Sequence, residues 1–306
     1  MTTSWVSGVV RAKAFGRRRL GRVGVRALAG SPSLQEAVAT LADTPYGHDV
    51  RVGLDLAQAQ RAVGDCVLWN LRVLAGWLPS SGSEALRVLA GWFEIANVDE
   101  LLRELDGMPA ESPYRLGTLA TAWPQLAGST SAAEVRERLA RTSWGEVGGA
   151  SRWDIQLGLR LAWADRVATQ VPQLQPLAVG AAALLLARET VGPGRRLPDV
   201  STRLAARVVG GQAAGASTLL ELAAALPANA QWVLDGVDRP ADVWAAETRW
   251  WRRLEQQSFA LARAGHFDAP PVLGAVGLLA VDAWGVRAAL ALAVRSAVGE
   301  VLAAVA

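Results

Sequence analysis

Few residues of this 306-residue chain are of the types that do chemistry. The stretch Gly210-Gly-Gln-Ala-Ala-Gly215-Ala216-Ser217-Thr218 mimics a phosphate-cradling loop. Such a loop needs a lysine that reaches the β- and γ-phosphates, and a strand ahead of it. Here Ala216 stands where the lysine belongs, and Arg203–Val209 follows helical material. The stretch reads instead as a small-residue turn leading to a helix cap at Ser217. Asp235-Gly-Val-Asp238-Arg-Pro-Ala-Asp242 gathers three carboxylates without the ligand spacing or the closing glutamate of a calcium loop. Asp238 reads as a cap ahead of Pro240. His48 and His266 are the only histidines, and both lie beside turn residues without a Cys or His neighbour in the sequence. No Gly-x-Ser-x-Gly elbow accompanies them. The one cysteine, Cys66, excludes an intrachain disulfide, and on the sequence alone no Cys-based zinc site is expected; its apolar flanks make it a buried thiol. The expectation is therefore no catalytic, cofactor-binding or metal residue, no cofactor and no enzymatic activity.

The elements that would position these residues are helices. Half of the chain, 51%, is hydrophobic and only 19% is charged, enough apolar material for a sizeable core. With 2 Tyr, 4 Phe and no sustained β-branched alternation, strand signals are scarce, and the fold class expected is all-α. Helical patterning begins near Ser4. Pro79-Ser-Ser-Gly-Ser, Gly107–Ser112, Val191–Pro198, Pro227–Ala230 and Gly265–Pro271 interrupt it. The breakers outline three helical blocks, residues 1–112, 113–198 and 199–306. The long helices expected are Leu54–Trp77, Trp153–Val171 and Val243–Ala264. Ala85–Trp92 followed by Asn97–Leu105 is expected to close the first block, and Val272–Val281 followed by Trp284–Arg295 the third.

Self-similarity supports the division. Ser33-Leu-Gln-Glu36 through Leu41-Ala-Asp-Thr44-Pro-Tyr46-Gly47 returns 98 residues later as Ser131-Ala-Ala-Glu134 through Leu139-Ala-Arg-Thr142-Ser-Trp144-Gly145. Ser217-Thr-Leu-Leu-Glu221 is a degenerate third copy. Each serine can cap a helix, with the glutamate three residues on completing a capping box in the first two copies. The aromatic at the far end can pack back as the glycine turns the chain.

The net charge of +3 is small, and nucleic-acid binding would need a local basic stripe rather than a global excess. Arg11, Lys13, Arg17, Arg18, Arg19, Arg22 and Arg26 crowd the N-terminal segment, interleaved with Val10, Phe15, Leu20 and Val23. They suit either acidic partner surfaces and lipid headgroups or an ordinary solvated helix surface. No secretory leader is expected. The longest apolar runs, Pro176–Ala187 and Ala269–Val281, are shorter than the roughly 20 residues of a bilayer span. They read as core helices. Arg249-Trp250-Trp251-Arg252-Arg253 reads as one ring in the core with the other at its edge.

Four stretches carry a resemblance. Trp5-Val-Ser-Gly-Val-Val10-Arg11-Ala12-Lys13 looks like an aromatic followed by an "ARVRAMK"-type helix. Leu41 through Thr44-Pro-Tyr46-Gly47 looks like an "L…T.Y" turn, and Leu54–Leu71 like the long helix after it. Phe93-Glu94-Ile-Ala-Asn97-Val-Asp-Glu-Leu101-Leu102-Arg103 looks like a "D..NIK.LLR" signature, in which Glu94 and Asn97 share a helix face. Asp282-Ala-Trp284-Gly285-Val-Arg287 is its weaker C-terminal counterpart, with Gly285 where the Asn falls. Together these resemble the C/d family of V-type ATPase central-stalk rotor subunits, over Trp5–Leu105 in motif and over the whole chain in architecture.

The resemblance implies a funnel of three similar helical domains that is not catalytic. It implies one copy per complex, on the cytoplasmic face of the membrane. There it would sit peripherally on the ring of rotor proteolipid subunits and receive the central-axle subunits of the ATPase head, coupling rotation to ion transport. Trp5, Arg11, Lys13, Arg18, Tyr46, Glu94, Asn97, Arg103, Asp282 and Arg287 become the candidate motif or partner-interface residues. Nucleic acid and a transmembrane segment of its own are not expected. The competing reading is a free-standing helical-repeat adaptor diverged from the same family, and a third is a helical lyase or hydrolase.

Overall fold

The computed structural model describes residues 3–305, with side chains from Trp5 to Arg295. Helix makes up 73% of the chain and no strand occurs among the described residues, so the fold class is all-α. In chain order the α-helices are α1 (Thr3–Arg17), α2 (Gly21–Ala29), α3 (Leu34–Ala42), α4 (Leu56–Ala75) and α5 (Ser80–Leu105). There follow α6 (Trp123–Leu126), α7 (Ala132–Ala140), α8 (Arg152–Gln170), α9 (Gln175–Leu186) and α10 (Asp199–Val209). The last four are α11 (Gly211–Ala214), α12 (Leu219–Ala225), α13 (Val243–Ala262) and α14 (Ala269–Val305). Short 3₁₀ turns interrupt the series, notably Pro45–His48, and α9 runs on into a π-turn at Ala187–Val191.

Two compact units result, and their limits differ from 112 and 198. One unit joins residues Met1–Ser83 to Leu254–Ala306, and the other is the contiguous stretch Glu84–Arg253. In the first unit α14 lies against α1, α2, α3 and α4. Val9, Val38, Leu41, Val63, Leu71 and Leu74 on these helices, and Val286 and Leu290 on α14, are all fully buried or nearly so. At about 1.5–3 kcal/mol for each fully buried large apolar side chain, such a cluster outweighs any local helix preference. Glycine sets one approach: a Cβ on Gly274 of α14 would stand 2.3 Å from the Ala262 nitrogen and 2.6 Å from the Ser258 carbonyl. Only a bare backbone lets the start of α14 run that close to the end of α13.

The second unit is built on α8, which packs against α9 and α10. Ile95, Leu102, Leu126, Leu139, Ile155, Leu161 and Leu222 belong to its core. Trp163 of α8 donates its indole N–H to the Val88 carbonyl of α5 at 2.8 Å. Gly158 lies so close to Val147 that an added Cβ would stand 1.8 Å from that carbonyl oxygen.

Several boundaries depart from expectation. The two elements expected over Ala85–Leu105 are one 26-residue helix, and those over Val272–Arg295 belong to one helix as well. Neither stretch contains a proline, and the polar residues that look like a break are bonded sideways, so the helix continues. Asp238 is not a cap: Arg239 precedes a 3₁₀ turn at Pro240–Asp242 and pairs with Asp242 at 2.9 Å. Trp250 does pack inward, its indole donating to the Leu177 carbonyl at 2.9 Å and its ring edge-on to Trp251 at 5.0 Å. The apolar runs extend into longer helical stretches than the sequence runs alone. By length and composition Pro172–Val191 and Ala269–Arg295 could cross a bilayer, and 56% and 44% of their apolar windows are buried in the protein. A core helix satisfies the same criterion.

Candidate functional site

The stretch of α5 that bears the Glu94–Arg103 signature is laced to the chain that follows it. Glu94, Asn97, Glu100 and Arg103 recur every three residues, so each successive pair shares a face while the row winds about 60° further round the helix at every step. Each bonds to backbone of the segment running back along α5, in reversed order. Arg103 donates to the Pro109 carbonyl at 2.9 Å, and Glu100 accepts from the Glu111 N–H at 2.9 Å. Asn97 both donates to the Tyr114 carbonyl (3.0 Å) and accepts from the Tyr114 N–H (2.5 Å). Glu94 accepts from the N–H groups of Thr121, Ala122 and Trp123 at 2.7–2.8 Å. The connector is irregular over residues 108–116, with one 3₁₀ turn at Gly117–Leu119, so side chains of α5 satisfy these backbone groups.

Glu94 is the keystone, with only 1% of its surface exposed. Its second oxygen accepts the indole N–H of Trp144 at 2.7 Å. Four donors therefore converge on one buried carboxylate, the arrangement that makes a buried charge tolerable. The Arg166 guanidinium lies 4.9 Å over the Trp144 ring. Burial pulls the Arg166 pKa down, and the charge of Glu94 acts in the opposite sense.

Asp282 does the same work in the other unit. It is 4% exposed and accepts the N–H groups of Leu20 (2.9 Å) and Gly21 (2.7 Å), at the start of α2. It also accepts the Tyr46 hydroxyl at 2.9 Å. Burial first, and then the Asp282 carboxylate, push the Tyr46 phenol well above its ordinary pKa, so it remains a donor. Where α5 carries Asn97, α14 carries Gly285, whose missing side chain leaves room for Val25 of α2, 3.2 Å from the position of a Cβ. A helix occupies the place of the laced connector.

Tyr46 and Trp144 are the aromatics of the repeated Thr-x-aromatic-Gly turn, and the two turns agree bond for bond. Thr44 Oγ1 donates to the Leu41 carbonyl at 2.6 Å and accepts the Tyr46 N–H at 3.2 Å. Thr142 Oγ1 donates to the Leu139 carbonyl at 2.7 Å and accepts the Trp144 N–H at 3.2 Å. Ser33 and Ser131 cap α3 and α7 by accepting the N–H groups of Glu36 and Glu134, both at 3.2 Å. The expected boxes are not completed in the usual way. Glu134 bonds back to the Thr130 N–H rather than to Ser131.

The third copy is shifted by one. Thr218, not Ser217, caps α12 and accepts the Glu221 N–H at 3.1 Å, while Glu221 takes the Ser217 N–H at 2.9 Å. Thr218 places the glutamate three residues on, which the cap geometry requires; Ser217 would place it four on. Ser217–Thr218–Glu221 thus repeats the bonding of Thr130–Ser131–Glu134.

The remaining candidates are surface groups. Arg11 lies 4.3 Å over the Trp77 ring, and Lys13 donates to the Ala264 carbonyl at 3.3 Å. Arg18 and Arg287 are exposed, and Trp5 is half-buried with its ring tip 3.0 Å from the Cβ position at Gly82. Tyr46, Glu94, Asn97 and Asp282 form two buried clusters, one in each unit, and offer no surface for a partner to touch. The phosphate-loop mimic is the turn at Gly210, with φ +91°, and the four-residue α11. The concavities described are shallow and open to solvent; one is lined by Arg188, Pro193, Trp244 and Glu247. One association is hidden in the sequence: His48 and Asp49 lie beside Cys66, which a separation of 18 residues conceals. No protein-family profile matches the chain, and no curated protein matches it.

Proposed function

We propose that this chain is the non-catalytic central-stalk subunit of a rotary ATPase of the V type, a member of the C/d family. It would couple the axle of the ATPase head to the ion-carrying rotor ring. The observation that carries the reading is the lacing of α5 to the connector after it. The acid, the asparagine and the arginine of the signature all bond to the chain returning over that helix. A stalk protein that passes torque needs connectors that do not give, and a buried carboxylate holding three consecutive amides supplies such a joint. In this reading the three capped helices α3, α7 and α12 mark three related blocks of a funnel. Glu94 and Asp282 are its stiffening joints, and Arg11, Arg18 and Arg287 face the partner subunits.

The test is recovery from native membranes. A tagged chain extracted in mild detergent is expected to bring down the proteolipid ring and the central-axle subunits in fixed proportion. Recovery of soluble proteins alone would support a free-standing adaptor, and recovery of no ATPase component would end the stalk reading.

A further inference from the structure

Three side chains outside the Glu94 and Asp282 clusters converge in the unit formed by residues Met1–Ser83 and Leu254–Ala306. His48 ends the Pro45–His48 turn, Asp49 follows it, and Cys66 projects from the middle of α4. Imidazole nitrogen, carboxylate oxygen and Sγ all lie within 4.8 Å of one another. We propose that His48, Asp49 and Cys66 form a binding site for a single divalent transition-metal ion of the zinc type.

The donor set chooses the class of ion. A thiolate and an imidazole favour zinc and its neighbours over magnesium or calcium, which take oxygen ligands. Bonds of about 2.0–2.3 Å to a tetrahedral centre place ligand atoms roughly 3.3–3.8 Å apart. Closing from the observed spacing therefore takes side-chain movements of about 1 Å, without change of backbone. The groups that must move are free to do so. The side chains of His48 and Asp49 are 42% and 29% exposed, so an ion can enter from solvent, whereas Cys66 is buried and fixed.

Neighbouring groups surround the donors. The Trp69 ring lies 4.2 Å from the His48 ring, a stacking contact that the ring keeps through a movement of this size. Nδ1 of His48 and the Asp49 carboxylate are 2.8 Å apart, so an ion between them takes the place of one hydrogen bond. Sγ of Cys66 stands 3.1 Å from the Tyr46 carbonyl, which accepts its hydrogen. Arg51 directs its guanidinium at the carbonyls of Gly47, Val50 and His48. On binding, the Cys66 S–H breaks as the sulfur–metal bond forms, and the proton leaves to water. Two negative ligands then balance a dication, so the occupied site carries no net charge. Three protein ligands leave a fourth position for water or an exogenous donor.

Cobalt(II) reports the site directly. The full-length chain is stripped with a chelator and titrated with cobalt chloride. The expected result is one equivalent bound, with a thiolate-to-cobalt band in the near ultraviolet, displaced by zinc. Cys66→Ser should abolish that band. His48→Ala, a change at an exposed side chain, should weaken binding by about tenfold or more, against the 10–100-fold typical even of outer-shell partners. His266→Ala should change nothing. Absence of the band at millimolar cobalt overturns the proposal, as does a band that survives Cys66→Ser or an affinity unmoved by His48→Ala. Circular dichroism of each variant shows that the fold is retained.

Discussion

Replacing Glu94 by Gln keeps the shape of the side chain and removes its charge. The three amide bonds from Thr121, Ala122 and Trp123 become neutral, each losing about 1 kcal/mol of the difference between charged and uncharged hydrogen bonds. The new amide group points an N–H at the Trp144 indole N–H, leaving a buried donor unpaired at about 1–3 kcal/mol. Removing a charge from a buried site recovers part of this. A net loss of about 2–3 kcal/mol remains. At about 1.4 kcal/mol per tenfold, the amides of residues 121–123 should exchange with deuterium roughly 30–140 times faster. Backbone amides of α10 should be unaffected. Hydrogen exchange read by mass spectrometry resolves the two regions. Trp144→Phe removes the same indole bond from the other side, so the double variant should cost about 1–2 kcal/mol less than the sum of the singles. Exchange at 121–123 within twofold of the parent, or strictly additive variants, would refute the idea that Glu94 is the joint.

Asn97→Ala removes the partner of the half-buried N–H and carbonyl of Tyr114; residues 109–116 should become protease-sensitive, at a cost of about 1–3 kcal/mol. Gly158→Ala places a methyl 1.8 Å from the Val147 carbonyl, so thermal denaturation should show a midpoint lower by several degrees, as overpacking by about 1–3 kcal/mol requires. The Thr130 and Ser217 N–H groups hold the exposed carboxyls of Glu134 and Glu221 below their ordinary pKa of 4.5. A depressed folded pKa gives stability that is present above the unfolded value and lost as pH falls through the folded one. Both carboxyls should therefore titrate below 4.5 by NMR, and Glu134→Gln with Glu221→Gln should flatten the acid limb of the stability curve.

The local parts of the fold are legible in the sequence and the closures are not. Ser33 and Ser131 can be placed because a cap and its glutamate sit within one turn. The third cap slips by one because Ser217 and Thr218 are adjacent and both can cap, and only the distance to Glu221 separates them. Helix α5 reads as two because Glu94 and Asn97 look like a polar interruption. Their partners, Trp144 and Tyr114, lie 50 and 17 residues away, and periodicity carries no record of them. The pairing of Tyr46 with Asp282 spans 236 residues, and for the same reason a three-block division gives no sign that the two ends of the chain share one core. The cluster of His48, Asp49 and Cys66 is invisible because nothing in the sequence shows which face of α4 meets the Pro45–His48 turn.

That long pairing has a consequence during synthesis. Residues Glu84–Arg253 are contiguous and can pack as they emerge, whereas Tyr46 and the start of α2 wait for Asp282. At about 5–20 residues per second, the 236 intervening residues take roughly ten to fifty seconds to translate. Throughout that interval α1–α4 exist without the helix that covers them, and Val9, Leu41 and Leu71 face water. The first segments made are the last to be sheltered, which makes the nascent N-terminal helices the natural substrate for a chaperone at the ribosome exit.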